Sequence, residues 1–314
     1  MINTISVQKM FADLAQTLAL SWVAGETGGD KQLTGDTVQK PSLALIGHLN
    51  FVHPNRVQVL GCAEMDYLRQ LGDGGLTQAI ANLFATELAV IIVANGEQVP
   101  AALLSAAQRT HTPLFTSPQA SPELMTVLSH YLTHALAEST NVHGVMLEVN
   151  GLGVMLTGSA AIGKSELALE LITRGHRLIA DDVVDLYKVA PDTLETQCPA
   201  MLQDFLEVRG LGVLNIRTLF GEPAVKQKKN LKLIVYLQAP AEQSPDKTQR
   251  LDMQASTETI LGVAINKVYI PVAAGRNLAV LVEVATRNYI LRARGINSAD
   301  DFIARQQAML QENQ

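Results

Sequence analysis

The 314-residue chain has only two cysteines, Cys62 and Cys198. They lie far apart, at no metal-ligand spacing, and suit a reducing cytoplasm as small buried apolar groups. No excess of basic charge is present. The net charge of −6 argues against a nucleic-acid binder, which needs a basic face. No apolar run approaches the ~20 residues of a membrane span. The first residues, Met1 to Val7, lack a basic region followed by an apolar one, so no signal peptide is evident. Internal repeats and low-complexity tracts are also missing. These absences leave a soluble, cytoplasmic protein as the expectation. What is plentiful is apolar side chain, at 47%, enough for a sizeable core, and the length leaves room for two domains.

The most informative stretch is Gly158-Ser159-Ala160-Ala161-Ile162-Gly163-Lys164-Ser165. It reads G-x-x-x-x-G-K-S, the phosphate-binding P-loop. Backbone N–H groups of such a loop cradle phosphate oxygens, the lysine reaches the β/γ-phosphates and the serine hydroxyl is a ligand for Mg²⁺. An apolar strand, 154–157, precedes it. A helix with Leu167, Leu171 and Ile172 on one face follows and closes at Gly175. The helix N-terminus adds its positive dipole end.

Weaker helix and strand signals alternate in the first part. Val7–Val23 reads as an amphipathic helix and 25–40 as a polar loop. Ser42–Ile46, Val57–Leu60 and Ala89–Val93 read as strands, with a turn at His53-Pro54-Asn55 between the first two. Helices are predicted at Ala101–Arg109 and at Ser121–Leu136, the latter with Ser121 as N-cap and Pro122 next. A hinge is expected at 137–141, dividing an N-terminal α/β domain, 1–137, from a P-loop domain, 138–314.

The second part opens with strands Val145–Val149 and Leu152–Thr157 around Asn150-Gly151, a strong two-residue hairpin signal. The P-loop strand is therefore expected to pair antiparallel with its predecessor, whereas nucleotide-binding βαβ sheets give it parallel neighbours. Further strands are predicted at Arg177–Ala180, Val183–Val189, Leu231–Leu237 and Val268–Val272. Helices are predicted at Leu278–Arg294 and 299–311.

Phosphoryl transfer also needs a metal-side carboxylate and a group that deprotonates the nucleophile. Asp181-Asp182 ends a short strand expected beside the P-loop strand. One of the pair could bind Mg²⁺ or act as base; alternatively both are turn residues. His143 fits either a structural or a catalytic use. Glu207-Val208-Arg209-Gly210-Leu211-Gly212 is a Gly-spaced loop with one acid and one base, which a salt-bridged turn would also explain. Arg276, after Gly275, could grip an oxyanion or simply sit beside a helix cap. Lys226, Lys228, Lys229 and Lys232 read as solvated surface.

Together these motifs resemble the HPr kinase/phosphorylase family. Its blocks run in order: 42–61 with Gly47-His48 and His53-Pro54-Asn55, His143-Gly144, the P-loop with Glu166, Arg174-Gly175-His176, Ala180-Asp181-Asp182, the signature loop Leu206-Glu207-Val208-Arg209-Gly210-Leu211-Gly212, and Ile270-Pro271-Val272 with Gly275-Arg276-Asn277. The resemblance implies a Mg²⁺- and ATP-dependent kinase acting on a serine of the protein HPr. It also implies phosphorolysis of the product, in which inorganic phosphate attacks phosphoserine and releases pyrophosphate; pyrophosphate could also serve as donor. Lys164 would bind the β/γ-phosphates, and Ser165 with Glu207 would hold Mg²⁺. Asp182 would be general base and acid, with Asp181 as its Walker-B-like neighbour. His143 would sit at the transferred group, and Arg250 would be the catalytic arginine. The loop Pro271-Val272-Ala273-Ala274-Gly275-Arg276 would serve dephosphorylation.

The family is hexameric, with a C-terminal helix reaching a neighbouring subunit's substrate. Its catalytic domain is similar to that of phosphoenolpyruvate carboxykinase, which would account for the antiparallel hairpin. The chain departs from the common family P-loop, which has an acid at Ser159 and Ser-Gly at Ala160-Ala161. Losing that glycine restricts the backbone at Ala161. Two other readings use the same scaffold: a small-molecule kinase, and a nucleotide-binding regulator with reduced catalysis.

Overall fold

A computed structural model describes residues 3–47, 56–85, 88–240, 256–273 and 275–297, with 301, 302, 305 and 309 beyond them. Two compact units divide the chain, Met1–Glu138 and Ser139–Gln314. The expected turn at His53-Pro54-Asn55 and most of the last helix lie outside the described residues. Among the described residues, no helix is long and apolar enough to cross a membrane.

In the first unit the elements run β1 (Ile5–Ser6), α1 (Val7–Leu14), β2 (Ser21–Ala24), β3 (Gln32–Leu33), α2 (Ser42–Leu45), β4 (Val57–Leu60), α3 (Cys62–Gln70), α4 (Asp73–Phe84), β5 (Val90–Val93), α5 (Ala101–Arg109), β6 (Leu114–Thr116) and α6 (Ser121–Ala135). The main sheet has the order β2-β6-β5-β4. Strands β4, β5 and β6 are parallel, and β2 closes one edge antiparallel. All four residues of β5 are buried, as a strand covered by helices on both faces requires. Val57, Val59, Val90 and Ile92 pack on α1 and α6, while Leu60, Ile91 and Val93 pack on α3, α4 and α5.

Several local expectations are corrected here. The helix from Val7 stops at Leu14, because Ser21–Ala24 is needed as a strand against Leu114–Thr116. Trp22 from that strand packs edge-on against Phe11 and Phe115, with centroids 5.2 and 4.8 Å apart. Ser42–Leu45 forms a helical turn rather than a strand, with the Ser42 hydroxyl bonded to Glu64 at 2.6 Å. Short apolar runs do not reveal their period. Ser121 is the first helical residue of α6, not its cap; the capping oxygen comes from Asn95 at 3.2 Å. Cys62 is exposed and Cys198 half-buried, not core. The buried face of α3 belongs to Glu64, Met65 and Leu68.

The second unit contains β7 (Glu138–His143), β8 (Val145–Val149), β9 (Leu152–Gly158), α7 (Lys164–Thr173), β10 (Arg177–Ala180), β11 (Val183–Ala190), β12 (Thr193–Gln197), β13 (Phe205–Val208), β14 (Gly212–Asn215), α8 (Ile216–Phe220), β15 (Lys228–Gln238), β16 (Ser256–Ile260), β17 (Val263–Pro271) and α9 (Leu278–Ala293). The expected hinge is strand β7. The hairpin β8–β9 forms as its turn residues predict, with φ of 48° at Asn150 and 79° at Gly151. On its other side β9 pairs parallel with β15, and β15 pairs parallel with β17.

The path β10-β8-β9-β15 sets the site. The hairpin inserts β8 between β9 and β10, so Asp181-Asp182 follows a strand one removed from the P-loop strand, not beside it. Two successive antiparallel pairings leave β10 parallel to β9, and both strands end at the same edge. One sheet face packs Val154, Leu156, Leu233 and Val235 on α7 and α9. The other packs Met146, Met155 and Ile234 on Val184, Leu186 and Leu194 of β11 and β12. The lysine run is paired rather than freely solvated at three positions. Lys226 and Lys229 reach Glu148 at 2.8 and 2.6 Å, and Lys228 reaches Glu195 at 3.1 Å.

Candidate active site

The P-loop joins β9 to α7 through a sequence of unusual backbone angles. Gly158 has φ of 143°, and a Cβ there would lie 2.7 Å from the carbonyl oxygen of Leu237 on β15. Only glycine fits that approach. Gly163 caps α7 with φ of 98°. Ala161 also takes the left-handed region, with φ of 61°. This position carries the departure from the family's usual glycine. Lys164 Nζ donates to the carbonyls of Gly158 and Ser159 at 3.1 and 3.0 Å, so its ammonium rests within the loop.

Ser165 follows on α7, and its hydroxyl donates to Asp181 Oδ1 at 3.3 Å. Asp181 Oδ2 accepts the backbone N–H of Glu207 at 2.9 Å. Asp181 is buried, and burial pushes its carboxyl above the usual range against the opposing effect of these bonds. The signature loop proves to be a hairpin, β13–β14, in which Glu207 lies opposite Val213. Leu206 and Val208 point into the core, and Glu207 is exposed on the other face. That alternation was present in the sequence as Phe205 to Val208, although the glycines 210 and 212 drew it toward a loop reading.

Asp182 differs sharply from its neighbour. Its side chain is 76% exposed, and its backbone takes φ of 64°. Its carbonyl accepts the Gly144 N–H at 3.1 Å. His143 Nδ1 lies 3.2 Å from the same carbonyl and 3.6 Å from Asp182 Oδ1. Thus the turn after β10 and the β7–β8 junction hold each other, with the Asp182 carboxylate aimed at solvent. A Cβ on Gly144 would sit 2.7 Å from Leu156 O, so this junction too needs glycine.

These pieces line one cavity of about 500 Å³. His143, Lys164, Ser165, Asp182 and Glu207 all reach it, as do Gly158, Ala160, Ala161 and Gly163. The sequence reading gave no chemical role to Gly144, Val145 or Glu166, which also line it, and Arg209 joins them from the hairpin turn. Pro271, Val272, Ala273, Gly275 and Arg276 do not line it. Pro271 is the last residue of β17 and the others follow it; β17 ends at the same sheet edge as the P-loop strand. Arg250 and Ala274 lie outside the described residues.

The donor chemistry fits Mg²⁺. Four carboxylates (Glu166, Asp181, Asp182 and Glu207) line the cavity with two permanent cations, Lys164 and Arg209. That balance favours a bound cation. Yet among the described residues no group of three or more His, Cys, Asp or Glu side chains forms a metal cage. Mg²⁺ commonly binds through one or two protein oxygens, with substrate phosphates and water completing the shell. Ser165 and Glu207 are the residues that would supply such a partial set.

Residues 134–306 match the HPr Serine kinase C-terminal domain, and residues 5–132 match the HPr Serine kinase N terminus. A protein of Chromobacterium violaceum named HPr kinase/phosphorylase is 53% identical over 311 residues, covering 99% of this chain and 98% of that protein. Proteins of the same name from Neisseria meningitidis and Nitrosomonas europaea are 49% and 48% identical, each covering 99% of this chain and 97% of theirs. A solved structure of the Hpr(Ser) kinase/phosphatase from Coxiella burnetii is 36% identical, covers 52% of this chain and 98% of that one, and superposes with a TM-score of 0.47. With both domains matched along nearly its full length, the chain belongs to the HPr serine kinase family.

Proposed function

We propose that the chain transfers the γ-phosphoryl group of Mg–ATP to a serine of HPr and removes it again by phosphorolysis. One observation carries the assignment of roles: a buried carboxylate, Asp181, braces Ser165 and Glu207, while an exposed one, Asp182, faces the same cavity beside His143. Two adjacent acids in opposite environments suit two different tasks.

In the forward direction Asp182 accepts the proton of the serine hydroxyl as its oxygen bonds to the γ-phosphorus. The bond from that phosphorus to the bridging oxygen breaks, and ADP keeps the electron pair. General-base help of this kind is worth ~10²–10⁴-fold. Lys164 and the loop N–H groups hold the phosphates, and His143 fixes the turn that carries Asp182. Mg²⁺ held by Ser165 and Glu207 would offset negative charge on the phosphoryl oxygens. In reverse, an oxygen of inorganic phosphate bonds to the phosphoserine phosphorus. The serine oxygen leaves with the proton from Asp182, and pyrophosphate is the product. Arg276 is the candidate grip for the attacking phosphate. A hexameric assembly and a cytoplasmic site of action complete this reading.

The test uses purified HPr. Incubation with Mg–ATP should add one phosphoserine by mass; nucleotide removal and added phosphate should then release pyrophosphate. Asp182→Asn should lower both rates by at least ~10²-fold. Undiminished turnover in that variant would place the base elsewhere, and absence of phosphoserine would sink the kinase reading.

A further inference from the structure

A row of side chains leads out of the cavity along the sheet. Thr157, the last residue before Gly158, lies opposite Tyr236 of β15, and Tyr236 lies opposite Tyr269 of β17. Gly144 lines the cavity, and a Cβ placed on it would lie 3.5 Å from Thr157 Cγ2. Gly144, just before β8, therefore continues a row formed by Thr157 of β9, Tyr236 of β15 and Tyr269 of β17. At ~4.8 Å per strand, the row is about 14 Å long. That is comparable with an extended nucleoside triphosphate.

The far end of this row is unlike the rest of the sheet. Below it, the same face packs Met155, Ile234 and Ile265 into the core. At the edge it becomes aromatic and charged. The Tyr236 and Tyr269 rings lie 5.5 Å apart and are inclined by 59°. Lys267 Nζ sits 4.8 Å from the first ring centre and 5.4 Å from the second. Glu258 fixes that ammonium at 2.8 Å. Tyr269 is 45% exposed, and it lies two residues beyond Lys267, where the described pairing of β17 with β16 ends. Within the row, the Thr157 hydroxyl is buried with no hydrogen-bond partner among the described residues.

The polarity of the site decides what lies there. The phosphoryl group that moves must be near Asp182 and His143, on the β7 and β10 side of the P-loop. The remainder of the donor then runs the other way, over Gly158 toward β15 and β17. A neutral, flat base suits an aromatic surface flanked by a cation. We propose that Tyr236 and Tyr269, braced by Lys267, form the seat for the base of the donor nucleotide. The proposal rests on the nucleotide-donor reading above and adds to it the residues that distinguish ATP from a bare polyphosphate.

Calorimetric titration of the full chain with Mg–ATP and with Mg–tripolyphosphate separates the two parts. Tyr269→Ala should weaken ATP binding roughly tenfold, the scale of one lost aromatic–base stack. Tripolyphosphate binding should change less than about twofold, since its contacts end at the P-loop. Tyr269→Trp should restore ATP affinity. An equal change for both probes, or none for either, would overturn the proposal. A wild-type chain that binds neither probe would sink the nucleotide reading and this proposal with it. A photoreactive azido-ATP tests the unaltered protein should Tyr269→Ala fail to fold. Its base should label the segment Val263–Pro271, and labelling confined to other segments would overturn the assignment.

Discussion

The carboxylate of Asp181 bonds the backbone N–H of Glu207 at 2.9 Å, joining residues 26 apart in the chain. Its other oxygen meets the Ser165 hydroxyl, so one buried acid sets the separation of the two proposed metal ligands. Asp181→Asn preserves size but replaces one acceptor with a donor. That donor faces either the Glu207 N–H or the Ser165 hydroxyl. Loss of such a supporting contact typically costs 10–100-fold in metal affinity or activity. We expect a fall of about that size in the rate at low Mg²⁺, partly recovered at high Mg²⁺. A rate that ignores Mg²⁺ concentration would show that Asp181 does not orient the metal ligands.

Burial raises the Asp181 carboxyl above its ordinary 3.8. A carboxyl raised by folding favours the folded state only while protonated. Its contribution is full below pH 3.8 and is lost as pH rises through the raised value. Wild-type stability minus that of Asp181→Asn should therefore decline across that acidic window and level off above it. Urea denaturation of both proteins over a pH series reads the difference directly. A difference that rises with pH would mean that the carboxylate is stabilised, not penalised, by its surroundings.

Ala161 holds a left-handed backbone at φ 61°. That conformation costs an L-residue ~1–2 kcal/mol. Ala161→Gly removes the strain and adds ~0.4–1 kcal/mol of unfolded-chain entropy. The expected net gain is between zero and ~1.6 kcal/mol in chemical denaturation. Ala161→Val should lose stability, because a branched side chain tolerates positive φ poorly. Equal stability in all three would show that the loop relaxes away from this angle.

Gly144 links the turn at Asp182 to the sheet. An alanine there would put its Cβ 2.7 Å from Leu156 O, a backbone atom with little room to move. Gly144→Ala should cost ~1–3 kcal/mol, the scale of overpacking. It should also lower turnover more than ATP affinity, because the Gly144 N–H holds the carbonyl of Asp182 and not the P-loop. A loss confined to ATP affinity would contradict that division.

Much of this was legible in the chain because it depends on local chemistry. Asn150-Gly151 specified its hairpin, and the spacing of Gly158, Gly163, Lys164 and Ser165 specified a cradle. The division of tasks proposed for Asp181 and Asp182 was not readable from their spacing, and only the family resemblance assigned it. It depends on which of two adjacent carboxylates is buried, and β13, some 25 residues later, decides that. The insertion of β8 beside the P-loop strand followed from the hairpin, but its effect on β10 did not. Val7–Val23 failed for the same reason: Trp22 leaves the helix to reach Phe115, nearly a hundred residues away. The Tyr236–Tyr269 contact joins two strands whose pairing no periodicity reveals.

The two partners of β9 also differ in when the folding chain can supply them. The hairpin strand β8 is its immediate neighbour in sequence, and such a local pair closes on the microsecond scale. The other partner, β15, follows α7, β10 to β14 and α8, and non-local pairings of this kind are slow. Gly158 rests against Leu237 of that late strand. The proposed phosphate cradle is thus encoded by eight consecutive residues, yet it takes shape only when the sheet is nearly assembled. Nucleotide affinity should consequently appear late in refolding, after the hairpin has formed and together with the docking of β15.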